Sequence, residues 1–374
     1  MLDKTTEIAL KTERLTKMLA TENLGGVLLQ TQPNFAWLTA GGSNMIDISS
    51  ERGAGALLVR RDGKRFVLAN RIEMPRLLTE EISAAEFEPV EFAWEEEKSA
   101  LTFIAQRALE LLSGGSLGCD FSLPSPVRTL ESEIARCRYQ LTLSETERFR
   151  CLGRDAGEVV GRLVRTLEPG ETEKEIARRV MAALAACDMT SVVTLVAADE
   201  RLRKFRHPVP TDNIWQKLLM IVVCARRGGL VASLTRIVCV GAIPGELERR
   251  TLAAARVNAQ LFSATRPGAS GSDLYQVAVR AYAAEDFPGE ERLHHQGGAC
   301  GYRTRDWVIH PTSPEHVQVN QAFAWNPSVT GTKVEETCIL HDDNIDVITG
   351  SSDWPSISVS VAGSNYELPA VLSL

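Results

Sequence analysis

No apolar run in this chain is long enough to cross a membrane as a helix. The longest, Leu218 to Ala225, is eight residues, against the roughly 18 or more that a spanning helix needs. The first residues, Met1-Leu2-Asp3-Lys4-Thr5-Thr6-Glu7, carry no basic-then-apolar stretch, so a soluble, cytoplasmic chain is expected. There is no Lys/Arg-rich block: 41 basic residues stand against 48 acidic ones, a net charge of −7. The electrostatic footprint of a nucleic-acid binder is therefore missing, and a small molecule or peptide is the expected partner. The eight cysteines, at 119, 137, 151, 187, 224, 239, 300 and 338, form no C-x-x-C pair. That excludes a zinc ribbon and a small disulfide scaffold and leaves reduced thiols. Gly228-Gly229 and Gly297-Gly298 lack the lysine or helix of a phosphate-binding loop.

What is present is ordinary globular composition, 44% hydrophobic and 24% charged over 374 residues. At about 150 residues per domain this suggests two or three domains. The first third alternates helical and extended patterns. Residues Glu7 to Leu19 have helical spacing, Gly26 to Gln30 reads as a short strand, and Ala56 to Arg60 and Arg65 to Ala69 flank an Asp62-Gly63 hairpin turn. A helix over Leu101 to Leu112 ends at Gly114-Gly115, and a further strand stops near Cys119-Asp120. These elements predict a small α/β domain. Ser144 and Glu147 offer a capping box that opens a long helix to about Thr166. The domain border is placed there, with residues 1–143 in one domain and 144–374 in the next.

Beyond that border the chain repeats itself. A helix, the turn Pro169-Gly170 and a helix from Glu173 to Cys187 are matched by a helix from Glu246 to Thr265, the turn Pro267-Gly268 and a helix from Ser272 to Ala284. The two turns lie 98 residues apart. Strands are expected after each pair: Ser191 to Ala197, Leu218 to Ala225 and Leu230 to Val240, then His310, Ala322 to Trp325, Val334 to His341 and Ile345 to Ile348. The prediction is two similar α/β halves sharing one sheet, with a pocket on its concave side.

Several motifs recur in one order: Pro33-Asn34-Phe35-Ala36-Trp37-Leu38-Thr39, Pro169-Gly170-x-Thr172-Glu173, Arg206-His207-Pro208 before a strand, Gly229-x3-Ser233-Leu234-Thr235-Arg236, His294-His295-Gln296-Gly297-Gly298, Asn326-Pro327 and Lys333-Val334-Glu335-Glu336-Thr337. Together with the layout they resemble the pita-bread fold of the creatinase, aminopeptidase P, prolidase and methionine aminopeptidase superfamily (M24-like), over nearly the whole chain. The resemblance implies a creatinase-type N-terminal α/β domain and a pita-bread domain of two similar α/β halves. It also implies a homodimer, in which the segment Asn34 to Gly42 reaches toward the partner's active site.

Metallopeptidases of that superfamily hold two cations, about 3.5–4 Å apart, with two aspartates, a histidine and two glutamates, enough carboxylate to offset four positive charges. By resemblance the two aspartate positions fall on Val222 and Ser233, and one glutamate position on Asn326; Glu335 and a histidine remain. One carboxylate and one imidazole cannot enclose a dinuclear centre, so no metal and no cofactor are expected. Metal-free creatinase hydrolyses a guanidino C–N bond with histidine and carboxylates, and with His294 as the motif histidine, Gly297, Gly301, Arg305 and Asp306 match its spacing. With peptidase spacing the histidine is His295, and Tyr302 stands where a second histidine would be. Thr235 and Asn326 depart from the creatinase pattern.

The resulting reading is a metal-independent enzyme that acts on a C–N bond of a small carboxylate-bearing or amidine-like substrate. His207 with His294 or His295 would serve as acid and base, and Glu335 as their partner. Arg305 would anchor a substrate carboxylate, with Arg303 two positions away on the same face of an expected strand. The adjacent histidines, if extended, send only one side chain into the pocket. Glu335, buried without metal, is expected to have a raised or coupled pKa. Ser233, Asn326, Tyr302 and Trp325 complete the expected pocket, Trp325 as a wall. Ser233 lacks a nucleophile elbow, and Cys224 and Cys300 read as inert buried thiols. The alternatives are a non-catalytic binding module on the same scaffold and, last, a working metallopeptidase.

Overall fold

The computed structural model describes residues 3–374 apart from Ser113, Ser125 and Asp343. The chain divides into two compact units. One comprises Met1–Arg138 with Thr142–Glu145, and the other Tyr139–Leu141 with Thr146–Leu374. No helix among the described residues is long and apolar enough to cross a membrane.

The first unit is a mixed sheet dressed with helices. Helix α1 (Lys4–Thr21) starts on Asp3, whose carboxylate accepts from the Thr6 amide at 2.7 Å, and it buries Ile8, Leu15 and Leu19 along one stripe. Then follow β1 (Gly26–Thr31), α2 (Gln32–Leu38), β2 (Arg52–Arg60), β3 (Arg65–Asn70), the short α3 (Met74–Arg76), β4 (Glu88–Phe92), α4 (Trp94–Ser99), α5 (Phe103–Glu110), β5 (Leu117–Cys119), β6 (Arg128–Thr129) and α6 (Glu131–Arg138). The strand order is β4-β3-β2-β1-β5-β6. The Asp62-Gly63 turn closes the β2–β3 hairpin with Val59 opposite Arg65. Leu28, Leu58, Phe66, Leu68, Phe92 and Ala105 form its core. Asn34, Phe35, Trp37 and Leu38 are all buried within this unit. Asn34 donates to Asp120 at 3.0 Å and to Glu131 at 2.8 Å, and accepts from Arg138.

The long helix α7 (Leu143–Val164) starts two residues earlier than the Ser144–Glu147 reading places it. Thr142 and Glu145 make the reciprocal pair: the Glu145 amide donates to the Thr142 hydroxyl at 3.2 Å, and the Thr142 amide donates to the Glu145 carboxylate at 2.7 Å. Both threonine and serine satisfy the motif, so residue type alone could not choose between registers two apart.

The second unit bears the repeat. After α7 come α8 (Glu173–Ala185), β7 (Thr190–Ala198), α9 (Arg201–Lys204), β8 (Leu218–Arg227) and β9 (Leu230–Cys239). The second half brings α10 (Gly245–Ala264), α11 (Gly271–Ala284), β10 (Gly297–Cys300), β11 (Trp307–Val308), β12 (Ala322–Trp325), β13 (Ser328–Val329), β14 (Thr332–Lys333), β15 (Glu336–His341) and β16 (Asn344–Val347). The chain closes with β17 (Ser356–Val361), β18 (Ser364–Pro369) and β19 (Leu372–Ser373). In both halves the turn glycine has positive φ, 107° at Gly170 and 85° at Gly268. In both, the residue two further on caps the next helix: Thr172 accepts from the Glu175 amide and Ser270 from the Asp273 amide. The same two residues bridge to later segments, Thr172 to Ile214 and Ser270 to His316. Each half thus repeats a helix pair, a capped turn, a cross-bridge and three antiparallel strands, β7-β8-β9 and β10-β12-β15.

The expected single shared sheet is two sheets, ordered β19-β9-β8-β7 and β11-β10-β12-β15-β16. They meet where β9 lies against β15. The Thr235 amide donates to the Glu335 carbonyl at 3.2 Å. The Ser233 amide donates to the Thr337 hydroxyl, and that hydroxyl donates to the Ser233 carbonyl, both at 2.8 Å. A hydroxyl replaces part of the backbone ladder at this seam. His310 lies outside any strand, since β11 ends at Val308.

Candidate functional site

Alternation on two paired strands sets the floor of the site. Val222 lies opposite Thr235 and Cys224 opposite Ser233, so these four side chains share one face of the β8–β9 pair. Val222 is buried among Leu202, Met220, Ile237 and Leu247. The Ser233 hydroxyl donates to the Cys224 sulfur at 3.2 Å and accepts from Arg305 Nη1 at 3.4 Å. Cys224 and Cys300 are buried, and burial raises both thiols.

Glu335, at the seam just before β15, is the site's buried carboxylate. Oε2 accepts from the Thr235 hydroxyl at 2.7 Å and from Lys333 Nζ at 3.1 Å, and Oε1 accepts from Arg305 Nη2 at 3.1 Å. Side-chain exposure is 3% for Glu335, 5% for Lys333 and 14% for Arg305. Burial alone would raise the Glu335 pKa, but Lys333, Arg305 and the Thr235 hydroxyl outweigh it and hold it at about 2. The expected raised pKa is corrected: the group is a fixed anion. Glu336 points the other way, to a buried pair with Arg236 at 2.8 Å.

His207, His294 and His295 gather into one cluster. His207 and His294 face each other through Nε2 atoms 3.1 Å apart, and the ring centroids lie 5.0 Å (207–294), 5.9 Å (207–295) and 4.4 Å (294–295) from one another. The expectation that only one of the adjacent histidines turns inward fails because they lie in a bend before β10, not in a strand, so strict alternation does not apply. Gly297, with φ 103°, turns the chain from this bend into β10. His207 sits in the irregular stretch after α9, eleven residues short of β8, not directly before a strand. Burial first, then Lys333, lowers the His207 and His294 pKa values; burial and then Arg305 hold His295 at about 4. In all three the shift favours the neutral imidazole. Beside His294, Arg206 and Lys333 line a cavity of about 10 Å³, room for about one water.

The remaining expected residues divide. Arg305 reaches the site, engaged with Glu335 instead of standing free as a substrate anchor. Arg303 is partly exposed, and neither arginine is on a strand: residues 301–306 are bends and coil, so the shared-face argument does not hold. Tyr302 is buried. Asn326 is 2% exposed, its Oδ1 lacks a hydrogen-bond partner, and its amide donates to the Gln296 carbonyl beside the histidines. Trp325 is a core residue stacked on Phe323, at 5.4 Å with a 7° tilt, in an aromatic row with Trp307, and not a wall beside Asn326. Sequence reasoning assigned no role to Lys333 or Thr235. The signal for Lys333 was its separation from Glu335, two residues apart in an extended run, which places both on one face.

The sequence pattern of metallopeptidase family M24 matches residues 147–347, more than half of the chain, and the chain belongs to that family. Its structure is similar to those of pita-bread relatives. A recombinant prolidase from Thermococcus sibiricus has TM-score 0.77 at 16% identity, over 100% of both chains. An Xaa-Pro dipeptidase from Bacillus anthracis has TM-score 0.76 at 16% identity, over 97% of this chain and 99% of the other. The N-terminal domain of the FACT complex subunit SPT16 from Cicer arietinum has TM-score 0.72 at 12% identity, over 92% and 96%. No curated protein sequence matches the chain. The fold is therefore the N-terminal α/β domain and pita-bread domain of the creatinase, aminopeptidase P and prolidase superfamily.

The dinuclear centre that the resemblance implies does not fit the residues present. Val222 offers two methyl groups in an apolar cluster, Ser233 a hydroxyl bound to a thiol, and Asn326 a neutral amide. The one carboxylate carries two side-chain cations on its oxygens. Hard divalent ions need the anionic oxygens that are missing here.

Proposed function

We propose that this chain is a metal-independent, creatinase-like M24 protein that acts on a C–N bond of a small carboxylate-bearing or amidine-like substrate. The observation that carries the reading is the Lys333–Glu335–Arg305 cluster. The positive charge that two metal ions bring to a peptidase cleft is supplied here by an ammonium and a guanidinium. Ser233 and Asn326 replace carboxylates with groups that can hydrogen-bond a neutral or cationic substrate without leaving unpaired negative charge once the metals are gone. The unpartnered Asn326 Oδ1 is an acceptor for a substrate N–H.

In this reading the neutral histidines move the proton. An imidazole of the cluster takes a proton from water as its oxygen bonds to the carbon of the scissile C–N bond. The same proton then passes to the departing nitrogen as that bond breaks. Low imidazole pKa values keep lone pairs free at neutral pH, which favours the base step. Lys333 and Arg305 favour negative charge developing on the substrate. A homodimer and a cytoplasmic setting belong to the same reading and rest on the family resemblance and the composition.

The test is turnover of a panel of amidino and guanidino acids and Xaa-Pro dipeptides, with chelator and with added Mn²⁺, beside elemental analysis. The expected result is chelator-insensitive turnover of a guanidino or amidino acid and no pair of bound ions. Two ions per chain, or Xaa-Pro hydrolysis that requires Mn²⁺, overturns the reading and favours the peptidase chemistry of the family. A second reading, a non-catalytic binding module, is favoured by one observation: none of the three histidines hydrogen-bonds Glu335 among the described residues. Ligand binding without turnover across the panel selects it.

A further inference from the structure

We propose that His207, His294 and His295 form a binding site for a single transition-metal ion of the zinc class, distinct in ligand set from a carboxylate-bridged pair. One donor atom from each histidine lies within 4.8 Å of the others. Zinc–imidazole bonds of about 2.0–2.1 Å in a tetrahedron put nitrogens about 3.4 Å apart. The His207 and His294 Nε2 atoms, 3.1 Å apart, therefore need to open only slightly. His294 is buried, while His207 and His295 are exposed, so two ligands can adjust onto an ion held by the third. The other three histidines take no part in the cluster: His310 contacts Thr312, His341 contacts Arg150 and Asn320, and His316 lies at the Ser270 bridge.

Donor chemistry selects the ion. Three imidazoles and no carboxylate suit Zn²⁺, Co²⁺, Ni²⁺ or Cu²⁺, and disfavour Mg²⁺, Ca²⁺ and Mn²⁺. Two features moderate the affinity. The cluster faces Lys333, Arg305 and Arg206, with Glu335 and Glu290 as their counter-charges, a field that opposes a bare cation but favours an anion as fourth ligand. His294 Nδ1 is buried without a hydrogen-bond partner, so the outer support that tightens histidine–metal sites about 10–100-fold is missing at this ligand. The site is therefore an exchangeable one, open to solvent on the fourth side, and it stands on the geometry of the imidazoles whatever reaction the cleft carries out.

Chelator-treated full-length protein is titrated with Co²⁺ and followed by visible absorption. One equivalent is expected to give the intense bands of four-coordinate cobalt, bleached by one equivalent of Zn²⁺ and not by Mn²⁺. His294→Ala abolishes the bands, and His207→Ala and His295→Ala, at exposed positions whose loss leaves the circular dichroism unchanged, each weaken binding at least about tenfold. Lys333→Met tightens it by removing a facing charge. No bands in the wild-type protein, bands that survive all three histidine substitutions, or displacement by Mn²⁺ overturns the site. Zinc at one equivalent also stops the turnover proposed above by taking the imidazole lone pairs. If zinc binds and turnover persists, the acid–base reading fails while the metal site stands.

Discussion

Lys333→Met removes one of the two cations that hold Glu335. The carboxylate is fully enclosed, with Thr235, Lys333 and Arg305 on its oxygens at 2.7, 3.1 and 3.1 Å. Taking one partner from a buried ion pair costs about 3–5 kcal/mol when nothing else compensates. Arg305 and Thr235 remain in the variant, so the expected loss is about 2–3 kcal/mol. Glu335→Gln leaves two buried cations without their anion and costs at least as much. The double variant costs less than the sum of the singles, with a coupling of at least about 1 kcal/mol. Urea unfolding of the four proteins at pH 7 gives the cycle. Acid supplies an independent check. The folded pKa of Glu335, about 2, lies below its ordinary 4.5, so its stabilisation is complete above pH 4.5 and is lost as pH falls toward 2. Wild type has more to lose than Lys333→Met, whose folded pKa is higher, so the gap between them narrows on acidification. A coupling near zero, or a gap unchanged between pH 7 and pH 3.5, refutes the view that side-chain cations neutralise this carboxylate.

Two further outcomes follow from the same geometry. His294 is held neutral by burial and by Lys333, below the usual imidazole value of 6.5, so its contribution to stability is full above pH 6.5 and declines below it by up to about 1.4 kcal/mol per pH unit; urea midpoints at pH 7, 6 and 5 should show the slope, and His294→Asn should reduce it, leaving the part that His207 and His295 add. Gly297→Ala places a Cβ 2.1 Å from the Ala324 carbonyl oxygen at a residue with φ 103°, and calorimetry should show a loss of at least about 2 kcal/mol; an unchanged melting temperature contradicts the turn described for the histidine bend.

Much of the architecture was legible because it rests on local rules. The Asp62-Gly63 hairpin, the two Pro-Gly turns and the helices around them are set by turn chemistry and apolar period within some twenty residues. The helix opening at Leu143 lies two residues before the expected one because two overlapping threonine/serine–glutamate pairs satisfy the same capping rule. Around the site, errors came where alternation was assumed without a strand: β10 and β11 are four and two residues long, and the arginines and histidines beside them sit in bends. The Glu335 pKa was misjudged for a different reason. Burial was foreseen, but the two cations arrive from β14 and from the loop after β10, and without them desolvation sets the sign. The polar substitutions at Ser233 and Asn326 could be read from position alone, whereas their partners, a thiol for one and none for the other, depend on packing.

The seam between β9 and β15 has a mechanical consequence. Along it the Ser233 amide and carbonyl are both satisfied by one threonine side chain, and the Thr235 amide, bonded to the Glu335 carbonyl, ties the strands at the carboxylate. Side chains do much of the joining: the Thr235 hydroxyl on Glu335, the buried Arg236–Glu336 pair and Arg305 on Ser233 cross between the two sheets, beside a further main-chain bond from the Val231 amide to the Gly301 carbonyl. Exchange of the Ser233 amide therefore depends on a side-chain hydroxyl as well as on the ladders of the two sheets. Thr337 lies two residues from Glu335, so the side chain that satisfies this seam and the carboxylate at the centre of the charge cluster sit on one short stretch of chain.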